Sequence, residues 1–181
     1  KLASLAEIYI NDAFANSHRI HASMVGITEY LPHFAGFRLQ KEVEVLSGIL
    51  ENPKRPLVVI IGGAKMKTKL PLVENMHHFA DYILVGGKID ENDKVLLKVA
   101  HEKITGRKSS FLVADLTEDN KDIAEKSVEN FLQIIENART VVWNGPMGVT
   151  EREDSSESTR NLALGILKSN VYSVVGAGDS L

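Results

Sequence analysis

Three lysines alternate directly after a pair of glycines, in the segment Gly62-Gly63-Ala64-Lys65-Met66-Lys67-Thr68-Lys69. An apolar run precedes the glycines, and a pattern of helical spacing follows the lysines. A strand, a tight turn and a helix start would bring unpaired backbone N–H groups and the positive end of the helix dipole beside the lysines. The segment therefore predicts a site for a strongly anionic group, phosphate above all. The alternative is an ordinary turn between strand and helix, with solvated lysines.

Glycines also follow most of the other short apolar runs in this part of the chain. Strands are predicted at residues 57–61, 82–85, 110–113, 140–143 and 171–175. The residues that follow them are Gly62-Gly63-Ala64-Lys65, Gly86-Gly87-Lys88, Ala114-Asp115, Asn144-Gly145-Pro146-Met147-Gly148 and Gly176-Ala177-Gly178-Asp179-Ser180. Glycine lets backbone N–H groups approach a ligand without a Cβ in the way. Together the turns indicate one ligand site rather than separate turns.

Amphipathic segments alternate with these strands and predict helices at residues 67–79, 92–104, 121–138 and 155–168. Alternation of this kind is typical of an α/β fold: a three-layer αβα lobe with a Rossmann-like parallel sheet covered on both faces. Such sheets bind ligands at the carboxyl ends of their strands, where the glycines lie. The signatures G-x-x-x-x-G-K-[ST] and G-x-G-x-x-G are both absent, so neither a P-loop nor a nicotinamide-dinucleotide site has direct support.

The first part of the chain predicts a remnant of a second α/β lobe. The end of a helix is expected at residues 1–6, a short strand at residues 7–12, a polar loop after it, and a helix at residues 37–51 that Asn52-Pro53 ends. Arg19 lies in the loop, where its planar guanidinium could hold a carboxylate or a phosphate. A surface arginine without a ligand is an equal alternative.

Composition excludes several classes of function. The chain has 181 residues, 44% of them hydrophobic, and a net charge of −3, so nucleic acid is not expected as a partner. It has no cysteine, which excludes disulfides, thiolate metal sites and a cysteine nucleophile and fits a reducing compartment. No apolar run approaches the roughly 20 residues that span a bilayer. Both termini suggest a piece of a longer protein.

Four motifs, in the same order and spacing, resemble those of the phosphoglycerate kinase family. They are Tyr9-Ile10-Asn11-Asp12-Ala13-Phe14 with His18-Arg19-Ile20-His21-Ala22-Ser23, the glycine–lysine segment 62–69, Val142-Trp143-Asn144-Gly145-Pro146-Met147-Gly148-Val149, and Gly176-Ala177-Gly178-Asp179-Ser180. The resemblance implies three parts. Residues 1–36 would end the N-terminal substrate lobe, residues 37–53 would form the interlobe helix, and residues 54–181 would form an incomplete nucleotide-binding lobe. An unrelated α/β phosphate-binding enzyme would need these motifs to match by accident.

The resemblance also implies an activity. The family transfers a phosphoryl group reversibly between 1,3-bisphosphoglycerate and ADP, giving 3-phosphoglycerate and ATP, in glycolysis and gluconeogenesis. It uses Mg²⁺, works in the cytoplasm, is usually monomeric and closes its two lobes around the substrates.

Site residues follow from the resemblance by motif position. Lys65 would contact the transferring phosphoryl group, with Gly178 as the second catalytic position. Lys69 would hold the terminal phosphates of the nucleotide, Asp179 would bind Mg²⁺, and Arg19 would bind the substrate. The remaining nucleotide-binding positions are Gly63, Ala64, Gly86, Gly87, Asn144, Pro146, Glu151, Gly176, Ala177 and Ser180. Lys67 stands where the family has a small residue and is interpreted as solvated.

The chain departs from the family pattern at two loops, which are shorter after Gly87 and between Asp115 and Asp122. Thr150 also replaces a usual phenylalanine, and the earlier basic residues of the substrate lobe are not in this sequence. Segments missing from the sequence are the favoured explanation. A true internal deletion would damage the adenine pocket and would indicate a degenerate, non-catalytic nucleotide-binding relative.

Overall fold

The computed structural model describes residues 1–63, 66–87, 109–149 and 156–176. The chain divides into two compact units, Lys1–Pro53 and Lys54–Leu181. None of the helices in these described ranges is long and apolar enough to cross a bilayer.

The first unit contains a parallel pair of short strands and one long helix. Strand β1 (Tyr9–Asn11) pairs with β2 (His33–Ala35), and helix α1 follows at Phe37–Glu51. The helix confirms the prediction for residues 37–51, whereas β2 was missed. The prediction that residues 1–6 form the end of a helix was wrong in kind. They contain a single 3-10 turn at Ala3–Leu5 rather than α-helix. Two more 3-10 turns, Phe14–Asn16 and Gly26–Glu29, lie between the strands.

A carboxylate from the end of β1 caps α1. Asp12 Oδ1 accepts a hydrogen bond of 2.9 Å from the backbone N–H of Leu39 in the first turn of the helix. That N–H has no partner within the helix, and a negative charge is favourable at a helix N-terminus. A Cβ on Gly36 would collide with the Asp12 side chain, so glycine at this position permits the cap.

The second unit is built on a five-stranded parallel sheet. Its strands are β3 (Leu57–Ile61), β4 (Tyr82–Val85), β5 (Ser110–Val113), β6 (Thr140–Asn144) and β7 (Tyr172–Gly176). They lie in the order β5-β4-β3-β6-β7, and each neighbouring pair is parallel. All five predicted strands and the predicted α/β class are therefore confirmed. The central strand β3 is buried along its whole length, which its continuous apolar run predicts.

Helices cover both faces of this sheet. Helix α2 (Met66–His77) contacts β3 and β4. Helices α3 (Glu125–Glu136) and α4 (Glu157–Lys168) pack against each other and share one apolar core with the sheet. Alternate side chains of β3 point to opposite faces. Val58 and Ile60 belong to the core shared with α3 and α4, which leaves Leu57, Val59 and Ile61 for the other face. The helix predicted at residues 92–104 lies outside the described residues.

The helix predicted at residues 121–138 begins later than expected. Ile123 forms an antiparallel bridge with Leu116, and Ala124 is extended, so α3 begins at Glu125. The pattern of apolar residues continues through this turn, which is why spacing alone extended the helix. Helix α2, by contrast, begins at Met66, one residue earlier than predicted. Pro71 therefore lies beyond its first turn. Because proline has no N–H, the carbonyl of Lys67 lacks its helical donor.

Candidate functional site

The order of the strands locates a crevice at the carboxyl end of β3. From β3 the chain builds outward through β4 to β5 and then returns to place β6 on the other side of β3. Connections therefore leave β3 and β6 in opposite directions, and open α/β sheets bind their ligands at such a switch point. Ile61 and Asn144 are paired at the ends of the two strands. The glycine turns that follow them consequently lie side by side.

Backbone hydrogen bonds join these two turns. The N–H of Gly62 donates to the carbonyl of Asn144 at 2.8 Å, and the N–H of Gly63 donates to the carbonyl of Pro146 at 2.7 Å. A Cβ on Gly62 would collide with the carbonyls of Gly145 and Pro146. The first glycine is therefore required for the close approach of the two turns.

Lys69 brings a positive charge to the same point. Its Nζ donates to the carbonyl of Gly62 and lies 3.5 Å from the carbonyl of Asn144. The side chain comes from the first turn of α2. The N–H groups of a first turn have no partner within their helix and form its positive dipole end. Burial of the half-buried ammonium lowers the pKa of Lys69 from its usual 10.5. An anion at this position would offset that cost of burial.

Two glycines in the left-handed region leave the space that Lys69 occupies. Gly63 has φ 99° and Gly145 has φ 84°, values that a residue with a Cβ adopts only with strain. A Cβ on Gly63 would lie 2.9 Å from Lys69 Nζ, and a Cβ on Gly145 would lie 2.5 Å from it. Within the described residues, the two turns thus place backbone rather than side chains next to the ammonium group.

The neighbouring strand ends complete this edge of the sheet. A Cβ on Gly87 would lie 2.6 Å from the backbone N and O of Gly63, so these turns are in direct contact. Asn144 Nδ2 donates to the carbonyl of Gly176 at 3.0 Å, which joins β6 to β7. The structure therefore brings together all the predicted nucleotide-binding residues that it describes: Gly63, Lys69, Gly86, Gly87, Asn144, Pro146 and Gly176.

Several predicted site residues lie outside the described residues, namely Ala64, Lys65, Glu151, Ala177, Gly178, Asp179 and Ser180. The side chain of Lys67 is also outside the description. Arg19 is described and belongs to the first unit, where it is exposed. Its backbone N–H donates to the carbonyl of Asn16 at 3.0 Å. The roles of these residues, like those of the described site residues, stay predictions.

Sequence reasoning missed Met147 as part of the site. Met147 is fully buried and lies below the turns, where a Cβ on Gly62 or Gly86 would collide with its side chain. Nearby, Trp143 Nε1 donates to the carbonyl of Gly145 at 2.7 Å and fixes the start of the same turn. The signal for Met147 was a large apolar residue inside a turn of glycine and proline.

Asp122 and Ser158 were missed as well. Asp122 is 7% exposed and Ser158 is 3% exposed. The Ser158 hydroxyl donates a hydrogen bond to the Asp122 carboxylate, although the two residues are far apart in sequence. They border a groove of about 720 Å³ between α3 and α4, which none of the glycines of the sheet edge lines. No local pattern could have predicted this pair, because the two residues come from distant segments.

Comparison with known proteins identifies the family. The family model for phosphoglycerate kinase matches residues 1–110 and 91–181, which together span the chain. The chain belongs to the phosphoglycerate kinase family. Among curated members, the phosphoglycerate kinase of Finegoldia magna is 37% identical over 220 residues and that of Thermosipho africanus is 37% identical over 224 residues. Each alignment covers 99% of this chain and 56% of the relative.

Solved phosphoglycerate kinases share the fold. The enzyme from Coxiella burnetii matches with a TM-score of 0.78 at 33% identity, over 99% of this chain and 57% of its own. That from Pyrococcus horikoshii OT3 matches with a TM-score of 0.82 at 27% identity, over 99% and 56%. These likenesses confirm the predicted family and fold class, and nothing in them supports a degenerate relative.

The chain is shorter than the phosphoglycerate kinases it resembles. It spans about half the length of the curated relatives it matches. The alignment with the Finegoldia protein also runs over 220 residues, although this chain has 181, so the relatives contain residues that this sequence lacks within the matched region.

Proposed function

We propose that the protein containing this chain is a phosphoglycerate kinase that transfers a phosphoryl group reversibly between 1,3-bisphosphoglycerate and ADP, in glycolysis and gluconeogenesis. The observation that carries the proposal is the meeting of the family's glycine turns and Lys69 at the switch point of the sheet. Membership of a kinase family supports phosphoryl transfer, and the acyl phosphate and the carboxyl acceptor are the further content of the proposal.

The reaction proposed is a direct transfer. A terminal phosphate oxygen of ADP forms a bond to the phosphorus of the acyl phosphate, and the bond from that phosphorus to the acyl oxygen breaks. The electron pair leaves with 3-phosphoglycerate as a carboxylate, so ATP and 3-phosphoglycerate result without redox change. Such a transfer needs positioning and charge stabilisation more than covalent chemistry by the protein.

The described edge of the sheet would bind the nucleotide. The ammonium of Lys69 would leave its backbone carbonyls to hold the terminal phosphates, and the N–H groups at the start of α2 would face the same charge. Gly63, Gly86 and Gly87 would flank the adenine together with Ala64, since glycine backbones can approach a flat ring closely. Asn144 and Pro146 would line the ribose and phosphate side, with Glu151 accepting from the ribose hydroxyls.

Most of the remaining roles belong to residues outside the described ranges. Lys65 would contact the transferring phosphoryl group, and the backbone around Gly178, with Gly176, Ala177 and Ser180, would face the phosphates. Asp179 would hold Mg²⁺, which supplies neutralisation of phosphate charge when bound. The described residues contain no group of three or more His, Cys, Asp or Glu side chains that could hold a metal alone. Mg²⁺ bound together with a nucleotide usually takes one or two carboxylates from the protein, so a single aspartate would be a sufficient protein ligand.

The proposal includes the other half of the reaction and the setting of the protein. Arg19, exposed in the first unit, would bind the phosphate or carboxylate of 3-phosphoglycerate. The protein would act as a cytoplasmic monomer, without nucleic acid or membrane as a partner. The net charge of −3 supports the expectation of no nucleic acid as a partner, and the cysteine-free sequence fits a reducing compartment. The monomeric state rests on the resemblance to the family.

A coupled assay of the complete protein tests the activity. With Mg²⁺, ATP and 3-phosphoglycerate, ADP should form only when both substrates are present. Lys65→Ala should lower kcat by about 100- to 1,000-fold, the usual effect of losing one group that stabilises transition-state charge. Lys126→Ala is the matched control, because Lys126 is an exposed lysine of α3 that pairs only with Glu129 among its described partners. ADP binding without any transfer would instead establish a non-catalytic nucleotide-binding protein.

Calorimetry tests the metal separately. ADP should bind the wild-type protein more tightly with Mg²⁺ than without it, and Asp179→Ala should remove most of that difference. An unchanged Mg²⁺ dependence in the variant would exclude Asp179 as the ligand.

A further inference from the structure

The buried carboxylate of Asp122 joins two segments by hydrogen bonds, an arrangement called the Asp122–Ser158 lock below. It lies on the α3 and α4 side of the glycine edge, the edge of the sheet formed by the glycine turns at the carboxyl ends of its strands. Asp122 Oδ2 accepts the backbone N–H of Ser158 at 3.1 Å, and Asp122 Oδ1 accepts the Ser158 hydroxyl and the N–H of Ile123, the latter at 2.8 Å. Ser158 is the second residue of α4, so its N–H has no partner within the helix. Asp122 therefore supplies a capping group and a favourable negative charge from a remote segment.

Both segments that Asp122 joins hold the turn at residues 145–149. On one side, the N–H of Val149 donates to the carbonyl of Lys121, the residue before Asp122, at 3.0 Å. On the other side, the N–H of Met147 donates to Thr159 Oγ1, on the residue after Ser158, at 3.0 Å. The two residues that accept hydrogen bonds from the turn, Lys121 and Thr159, are thus adjacent in sequence to Asp122 and Ser158.

The turn at residues 145–149 sets the position of the glycine edge. The side chain of Met147 fills the space below Gly62 and Gly86, and the carbonyl of Pro146 accepts the N–H of Gly63. Residues 145–149 cannot shift without moving these contacts, because fully buried side chains have little free volume around them. A displacement at Asp122 would therefore be transmitted to the backbone that surrounds Lys69.

We propose that Asp122 is a positioning residue for nucleotide binding. Its carboxylate accepts hydrogen bonds from Ser158 and Ile123 and from none of the described glycines of the crevice. It acts by fixing the start of α4 and residues 117–123 so that the 145–149 turn lies against Gly62 and Gly63. The proposal rests on the proposed function, since it assumes that ADP binds at this edge of the sheet.

Asp122→Asn in the complete protein is the principal test. The amide keeps one oxygen acceptor and replaces the other with an NH2 donor. The backbone N–H of either Ser158 or Ile123 must therefore lose its acceptor. We expect the Kd for ADP and the KM for ATP to rise about tenfold, with the KM for 3-phosphoglycerate and kcat at saturating nucleotide changed less than twofold. A control is Thr140→Val, which removes a buried hydroxyl whose hydrogen bond goes to the Lys54 carbonyl at the opposite end of β6.

Two further variants separate positioning from stability. Thr159→Val removes the acceptor for the Met147 N–H without changing side-chain volume, and should raise the Kd for ADP about threefold even if Asp122→Asn fails to fold. Ser158→Ala should weaken ADP binding in the wild type but add nothing in the Asp122→Asn background, because residues that act through one contact are not additive.

The outcomes distinguish this inference from the function on which it rests. If the wild-type protein binds no ADP, the proposed function fails. If it binds ADP and both Asp122→Asn and Thr159→Val bind equally well, Asp122 has only a stabilising role and the inference is overturned. A rise in Kd for Thr140→Val equal to that for Asp122→Asn would also overturn it, since general loss of stability would then explain the effect.

Discussion

The ammonium of Lys69 donates a hydrogen bond to the carbonyl of Gly62, at the end of the strand from which its own helix departs. The cation thus rests on backbone oxygens at the point where an anionic ligand is proposed to bind. A bound phosphate would compete with these carbonyls for the same donor, and a charged acceptor makes the stronger hydrogen bond.

Removing this cation should weaken nucleotide binding. Lys69→Met keeps much of the apolar length of the side chain but loses the charge, and we expect the Kd for ADP to rise about 10- to 100-fold, since hydrogen bonds to charged groups contribute about 1.5–3 kcal/mol. Isothermal titration calorimetry measures the change, and Lys126→Met on the exposed face of α3 is the control. Equal affinities in Lys69→Met and the wild type would contradict a role for Lys69 in binding.

The lowered pKa of Lys69 predicts a pH dependence of stability. At pH values between that lowered pKa and the usual 10.5, the unfolded chain keeps a proton that the folded chain has released. The free energy of unfolding should therefore rise with pH in this window, relative to Lys69→Met, and level off above 10.5. Urea unfolding of the two proteins across the window measures the difference. A difference that falls as pH rises would show that the folded state favours the charged lysine.

Glycine at position 145 should be required for both stability and binding. Gly145→Ala adds a Cβ at φ 84°, 2.6 Å from the carbonyl oxygen of Gly62, and we expect a loss of about 1–3 kcal/mol with weaker ADP binding. Gly48→Ala is a control for which the free energy of unfolding should increase instead. Beyond the backbone of α1 itself, no atom of the described residues lies within 4 Å of its new Cβ, and alanine should stabilise α1 by about 0.5–1 kcal/mol. Chemical denaturation of both variants decides, and a neutral Gly145→Ala would contradict the geometry of the turn.

Asp119 should titrate well below an ordinary aspartate. Its carboxylate accepts hydrogen bonds from the Lys121 ammonium at 2.9 Å, from the Thr117 hydroxyl at 2.7 Å and from the Lys121 N–H, which together lower its pKa to about 2. The stabilisation is present above the usual 3.8 and should be lost as pH falls towards 2. NMR titration of the carboxyl carbon measures the pKa. Lys121→Met should return it towards 3.8, and an unchanged midpoint would remove Lys121 as the main cause.

The strands of the second unit could be predicted from sequence because their apolar runs are short, continuous and bounded by glycine. Helix ends could not, because tertiary contacts decide them: the bridge between Leu116 and Ile123 delays the start of α3. Strand β2 was missed for a related reason, since its three residues become a strand only through pairing with β1.

The candidate site was predictable to the extent that it is local. Gly62, Gly63 and Lys69 lie in one segment, and the rule for parallel sheets brings the other glycine turns to the same edge. Contacts between remote segments carried no such signal. The lock between Asp122 and Ser158 and the packing of Met147 below Gly86 depend on how the helices and turns of the lobe come together.

Strands β3 and β6 are neighbours in the sheet but far apart along the chain. During synthesis from the N-terminus, Gly63 therefore leaves the ribosome long before Pro146, whose carbonyl its N–H requires. Contacts between such distant segments form slowly, because a long loop must close first. The crevice around Lys69 is consequently acquired late in folding. Retention of ADP by a nascent chain would report that the polypeptide has been completed through the 145–149 turn.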